Sequence, residues 1–167
     1  MNISRHLEPS LIRLSMETRR NSDRDGGELS ERQKRDEKES VLAELVGLLS
    51  TSEKIANPSK LLTEFVHRER KATTAIGDGI AIPHVRTYQT RELVIAVGRS
   101  EEGLEFDAPD DSPVRLFFAM AAPSYDDTLY LRVFKALGEV LQFDYFRERL
   151  LEVEDEFALI RAFREME

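Results

Sequence analysis

The sequence predicts an α/β fold in which one mixed sheet carries helices on both faces. Three observations lead there. The elements run in the order strand, two helices, about three strands, three helices. Residues 93–98 (LVIAVG) and 114–120 (VRLFFAM) are almost continuously apolar over strand length, the pattern of strands covered on both sides. The connectors between successive strands are short, which implies antiparallel pairs within the sheet.

Residues 11–16 (LIRLSM) alternate loosely and predict a short first strand. Residues 17–39 then break the pattern, with 15 of 23 side chains charged and Gly26-Gly27 in the middle. Such a segment buries too little apolar surface to offset the entropy of ordering it, so a charged, flexible loop insertion is expected over 17–39. Residues 41–49 space Val41, Leu42, Leu45, Val46, Leu48 and Leu49 for an amphipathic helix. Asn57-Pro58 offers an N-cap and a first-turn proline for a second helix, whose buried stripe is Leu61, Leu62, Phe65 and Val66.

Small residues follow. Residues 72–84 (ATTAIGDGIAIPH) predict a turn around Gly77-Asp78-Gly79 and a short strand that stops at Pro83. Two longer strands come next, separated by turn-rich sequence in which Asp107, Asp110 and Asp111 read, like Asp78, as turn formers. Asp126 or Asp127 caps a helix carrying Leu129, Val133, Ala136, Leu137, Val140 and Leu141, and two further helices are expected near 145–151 and 155–164. Tyr125, Tyr145 and the phenylalanines read as core or half-buried packing.

The chain has 167 residues, enough for one domain spanning 1–167 and its core. The formal charge is −8. An acidic chain is a poor general nucleic-acid binder, because phosphate neutralisation needs a basic face. There is no cysteine, which excludes disulfides, thiol catalysis and Cys-ligated metal centres. No apolar run approaches the length of a membrane span, and the start lacks a basic region followed by an apolar block, so a cytoplasmic location is expected.

Chemistry concentrates in residues 68–86, RERKATTAIGDGIAIPHVR. His84 follows Pro83, which stiffens the backbone presenting the imidazole, and a position just past a strand end predicts exposure. A ring with a pKa of ~6.5 is largely neutral near pH 7, the nucleophilic form. Phosphoryl transfer asks for positioning and positive potential around three oxygens. Arg68, Arg70, Lys71 and Arg86 offer charge, Thr73 and Thr74 offer hydroxyls, and the amides of Gly77, Asp78, Gly79 and Ile80 offer an anion nest. His67 reads as a helix-end residue, and His6 as idle on a mobile terminus. The loop is not a Walker A motif, since no Gly-Lys-Ser/Thr follows, and it is not a dinucleotide fingerprint.

Arg68-Glu69, Thr73-Thr74, Gly77, Gly79 and Ile80-Ala-Ile-Pro-His84 together resemble the signature of the enzyme IIA domains of the phosphoenolpyruvate-dependent sugar phosphotransferase system. The similarity is to the fructose/mannitol class and its nitrogen-regulatory branch. It covers about residues 7–167, with at least nine matched positions in a 17-residue window. The resemblance implies a three-layer α/β/α sandwich with a mixed sheet of about four to five strands. It implies that His84 accepts a phosphoryl group from the phosphohistidine of the carrier HPr, that Arg68 helps to hold the phosphate, and that the group passes to an enzyme IIB domain or serves as a signal to a regulatory target. No metal or organic cofactor is implied.

Two positions depart from the family pattern. The family usually places a second histidine, in a His-Leu pair, beside the first; here the corresponding pair is Tyr130-Leu131. A tyrosine donates one O–H but cannot become cationic. Loss of a charged donor at such a site is expected to cost ~2–4 kcal/mol of transition-state stabilisation. Val85 stands where the family commonly has a small residue. Both departures motivate an alternative, a protein-interaction module that keeps the fold and is phosphorylated rarely or never.

Overall fold

In the computed structural model, which describes residues 1–20 and 28–167, the chain enters through two 3-10 turns, Ile3–His6 and Pro9–Leu11. A two-residue strand follows, β1 (Ile12–Arg13). The expected strand over 11–16 is thus shortened: β1 pairs only with Val97 and Gly98, and Leu11 completes the preceding turn. The N-terminus is pinned rather than mobile, because the amide and hydroxyl of Ser4 both donate to the Glu167 carboxylate at 2.8 Å.

Helix α1 (Glu31–Leu49) begins ten residues before the predicted apolar stripe. The charged segment expected as a loop over 17–39 is therefore helical from Glu31, while its residues 21–27 lie outside the described residues. Local chemistry explains the extension. Ser30 and Gln33 form a reciprocal capping box. Farther along, Lys38 reaches across to Glu69 at 3.1 Å, so tertiary pairing stabilises a stretch that composition alone leaves unordered. Helix α2 (Pro58–Lys71) starts as predicted, with the Asn57 side chain accepting from the Lys60 amide.

Next come β2 (Ala75–Gly77), β3 (Ile80–Ala81), β4 (His84–Thr87), β5 (Val94–Leu104) and β6 (Val114–Pro123). Three helices close the chain: α3 (Asp127–Leu141), α4 (Asp144–Glu152) and α5 (Glu156–Glu165). Asp126 caps α3 by accepting from the Leu129 amide, and Asp155 caps α5 likewise through Ala158.

The described residues form one six-stranded sheet in the order β1-β5-β6-β3-β2, with β4 also on β6. This exceeds the four to five strands expected, because Pro83 divides one edge segment into β3 and β4, which follow one another along β6. The sheet is mixed. β5 and β6 pair antiparallel, whereas β1 on β5 and β3 and β4 on β6 are parallel.

Strand alternation sends side chains to two separate cores. Ala96, Phe117, Ala119 and Ala121 join Leu42, Leu45, Leu61 and Phe65 of α1 and α2. Ile95, Leu116, Phe118 and Met120 join Val133, Leu137, Phe146 and Phe163 of α3, α4 and α5. This is the three-layer α/β/α sandwich. The α1–α2 side uses small strand residues, and at Gly98 an added Cβ would lie 2.8 Å from the Met16 sulfur. Not every aromatic is interior: Phe143, Phe157, Tyr125 and Tyr145 are exposed, against the reading of the aromatics as packing.

Candidate functional site

His84 opens β4 and is half-buried, not exposed beyond a strand end as its place after Pro83 suggests. Register explains this. His84 sits opposite Met120, so its side chain turns to the α3 side of the sheet. There the imidazole packs against Tyr130 and Phe134, with ring centroids 5.4 and 5.2 Å away. Tyr130 and Phe134 stand one helical turn apart on α3, so both rings reach the same spot.

The Nδ1 of His84 lies 2.6 Å from the Ile82 carbonyl oxygen. A carbonyl only accepts, so Nδ1 carries the proton and the Nε2 lone pair is free for chemistry. Burial lowers the pKa of this imidazole below its ordinary value; the Ile82 hydrogen bond opposes that shift, Arg68 adds to it and Glu69 opposes it. The ring is held neutral, with Arg68 near enough to act on it. Burial raises the Tyr130 phenol, while Arg68 and Arg86 pull it down. Tyr130 therefore keeps its proton and remains a hydrogen-bond donor.

Arg68 and Arg86 frame one open cleft beside β4, with His67 and Lys71 on the α2 wall and Val85 and Ser124 opposite. The Arg68 guanidinium donates to the Ala72 carbonyl at 2.9 Å, at the end of its own helix. Arg86 pairs with Asp127 in the first turn of α3. His67, in the last turns of α2 as expected, is exposed and also lines this cleft. Phe134, read with the other phenylalanines as packing, is partly buried against the α3-side core and also meets the His84 ring; its four-residue spacing from Tyr130 is the sequence signal for that second role.

Other predicted phosphate ligands do not converge here. The Thr74 hydroxyl and amide both donate to Glu69, at 2.7 and 2.8 Å, and all of these groups are buried. Thr73 donates its hydroxyl to the Phe106 carbonyl and accepts from the Ala75 amide. The two threonines thus fasten the end of α2 to the sheet. Gly77, Gly79 and Ile80 belong to the β2–β3 hairpin, where Ile80 pairs with Leu116, four residues along β6 from the partner of His84. At the strand rise of ~3.3 Å per residue that separation is about 13 Å. The expected anion nest is also filled, since the Asp110 carboxylate accepts from the Asp78 amide at 2.9 Å. Positive φ at Gly77, Asp78 and Gly79 makes this a tight turn.

The described residues contain no cluster of three or more His, Asp or Glu side chains able to hold a metal, and no helix long and apolar enough to cross a membrane. The His84 imidazole and the Tyr130 phenol meet on the α3 side of β4, while Arg68 and Arg86 line the cleft, near enough for Arg68 to act on both rings and Arg86 on the phenol.

The sequence profile of the phosphoenolpyruvate-dependent sugar phosphotransferase system, EIIA 2, matches residues 28–166. A fructose-specific EIIA component from Haloferax volcanii is 35% identical over 117 residues, covering 70% of this chain and 76% of that protein. A fructose-specific EIIABC component from Bacillus subtilis is 35% identical over 124 residues, 74% of this chain but only 20% of that protein's length. Among solved structures, the nitrogen regulatory protein IIA-Ntr from Neisseria meningitidis superposes with a TM-score of 0.80 at 25% identity, covering 96% of this chain and 98% of that one. The mannitol IIA of Escherichia coli shares the fold, with a TM-score of 0.72 at 18% identity, covering 94% and 98% of the two chains. With the profile spanning most of its length, the chain belongs to the EIIA 2 family of the phosphoenolpyruvate-dependent sugar phosphotransferase system.

Proposed function

We propose that this protein is a phosphoryl carrier whose acceptor atom is Nε2 of His84. The observation that carries the reading is the 2.6 Å contact from Nδ1 to the Ile82 carbonyl, which leaves Nε2 unprotonated in a half-buried neutral ring. The donor is the phosphohistidine of an HPr-like carrier. The Nε2 lone pair attacks phosphorus, the donor P–N bond breaks, and its electron pair returns to the donor imidazole. Positive charge developing on the His84 ring is met by the Nδ1–H···O=C bond, which strengthens as it forms. Arg68 and Arg86 neutralise the phosphoryl oxygens, and Tyr130 donates its O–H in place of the family's second histidine. The group then passes to an enzyme IIB domain or acts as a signal to a regulatory target. A cytoplasmic location follows from this reading.

The interaction-module alternative draws on Tyr130 and Val85, and the ready orientation of the imidazole favours the carrier. The test is incubation with phosphoenolpyruvate, enzyme I and HPr from the same source. We expect acid-labile, alkali-stable phosphate on the wild type and none on His84→Ala. Label that survives His84→Ala refutes the site, and no label on wild type refutes the carrier. Tyr130→His is expected to raise the transfer rate ~30-fold or more if the missing cationic donor limits it, given the ~2–4 kcal/mol such donors contribute; an unchanged rate means the phenol is adequate.

A further inference from the structure

The strand that presents His84 has a free edge. In the parallel β4–β6 ladder the Pro83 carbonyl accepts from Met120 and the Thr87 carbonyl accepts from Ser124. Residues 83, 85 and 87 therefore turn their backbone groups to β6, and alternation turns the N–H and C=O of His84 and Arg86 the other way. No strand of the described residues pairs on that side. The open cleft lies along this edge, between Arg86 and the α2 wall of Glu64, His67, Arg68 and Lys71.

Charge at the cleft runs against the molecule as a whole. The chain carries −8, yet Arg68, Lys71 and Arg86 line the cleft with His67 among them, and Glu64 is its one acidic member. Arg86 already pairs with Asp127, whereas Arg68 and Lys71 form no ion pair among the described residues. An unpaired edge supplies main-chain donors and acceptors, and the wall supplies positive potential.

We propose that the β4 edge takes an extended, acidic segment of a partner protein, added as a further strand, with carboxylates facing Arg68, Lys71 and Arg86. Main-chain bonds to the outward groups of Arg86 fix the register, and charge selects the partner. The segment would run beside His84 and cover the approach to it. The docking does not require His84 to be phosphorylated, although it engages the same Arg68 and Arg86 that the carrier reading gives to the phosphoryl oxygens.

The test titrates the full-length protein with an eight-residue blocked peptide alternating glutamate and valine, read by amide NMR. A lysine-for-glutamate peptide and a proline-interrupted glutamate peptide serve as comparisons. The glutamate peptide is expected to shift the Arg86 amide, protect it from exchange, and bind more weakly as salt rises. Reversing charge with Lys71→Glu, an exposed site, is expected to weaken binding by ~10-fold or more, as for close charge pairs at interfaces. Failure of the glutamate peptide to bind, equal binding of the lysine or proline peptides, or binding without protection at Arg86 overturns the proposal. Self-association through this edge, seen by sedimentation, would also overturn it. His84→Ala should bind the peptide as wild type does, which separates failure here from failure of the carrier reading.

Discussion

The imidazole of His84 is held by one carbonyl and two aromatic rings, and each contact has a chemical consequence. Burial keeps its pKa below 6.5, so the neutral, reactive form persists as the pH falls through that value. The acidic limb in the rate of phosphoryl acceptance from saturating phospho-HPr should therefore have its midpoint below pH 6.5. A limb whose midpoint stands above 6.5 would contradict the buried setting. At this scale the sequence was informative about His84, Arg68, Arg86 and Tyr130, which the structure brings together. It misled on Thr74 and Gly77 for a physical reason. Glu69 claims the Thr74 hydroxyl, and Asp110 claims the hairpin amide from 32 residues away. Short motifs name the residues; which partner each one finds is decided by tertiary neighbours.

Elements were legible wherever apolar spacing or caps marked them. Asn57, Asp126 and Asp155 each cap the helix they precede, and β5 and β6 grow from the two apolar runs. The start of α1 was not legible, because a charged stretch gives no periodic signal and its stabilising contacts lie far off in sequence. A second such contact is Glu44, on the same helix. Its carboxylate accepts from the amides of Glu17 and Thr18, the Thr18 hydroxyl and the Arg13 guanidinium. Burial pushes this carboxyl up, but those four donors outweigh it, and its pKa settles below 4.5. Glu44→Ala is expected to cost about 1–3 kcal/mol in urea unfolding at neutral pH, since several donors lose a charged acceptor. The sign with pH is fixed: a depressed carboxyl contributes stability above its unfolded pKa and loses it as pH falls through the folded value. The gap between wild type and variant should thus shrink below about pH 4.5.

At the scale of the whole molecule, the layered architecture followed from the order of elements and from strands apolar on both sides. The size of the strand residues sorts the two cores. Ala75, Ala81, Ala96, Ala119 and Ala121 stand on the side facing α1 and α2 beside the larger Phe117, and Ile95, Leu116, Phe118 and Met120 face α3, α4 and α5. Phe118 is fully buried and stacks edge-on against Phe163 at 5.9 Å. Phe118→Ala is expected to lower unfolding free energy by about 3–5 kcal/mol, measured by thermal or denaturant melting. A loss under 1 kcal/mol would mean that the bulky face collapses around the cavity.

The β5–β6 ladder has one further consequence. Its residues alternate between the two cores, so the same backbone serves as the wall of both. Neither layer of helices can peel away without baring one face of the strands that hold the other. A molecule divided in this way is indivisible: the amides of Val97 and Phe118, on facing positions of that ladder, are exposed to solvent only when both halves come apart at once.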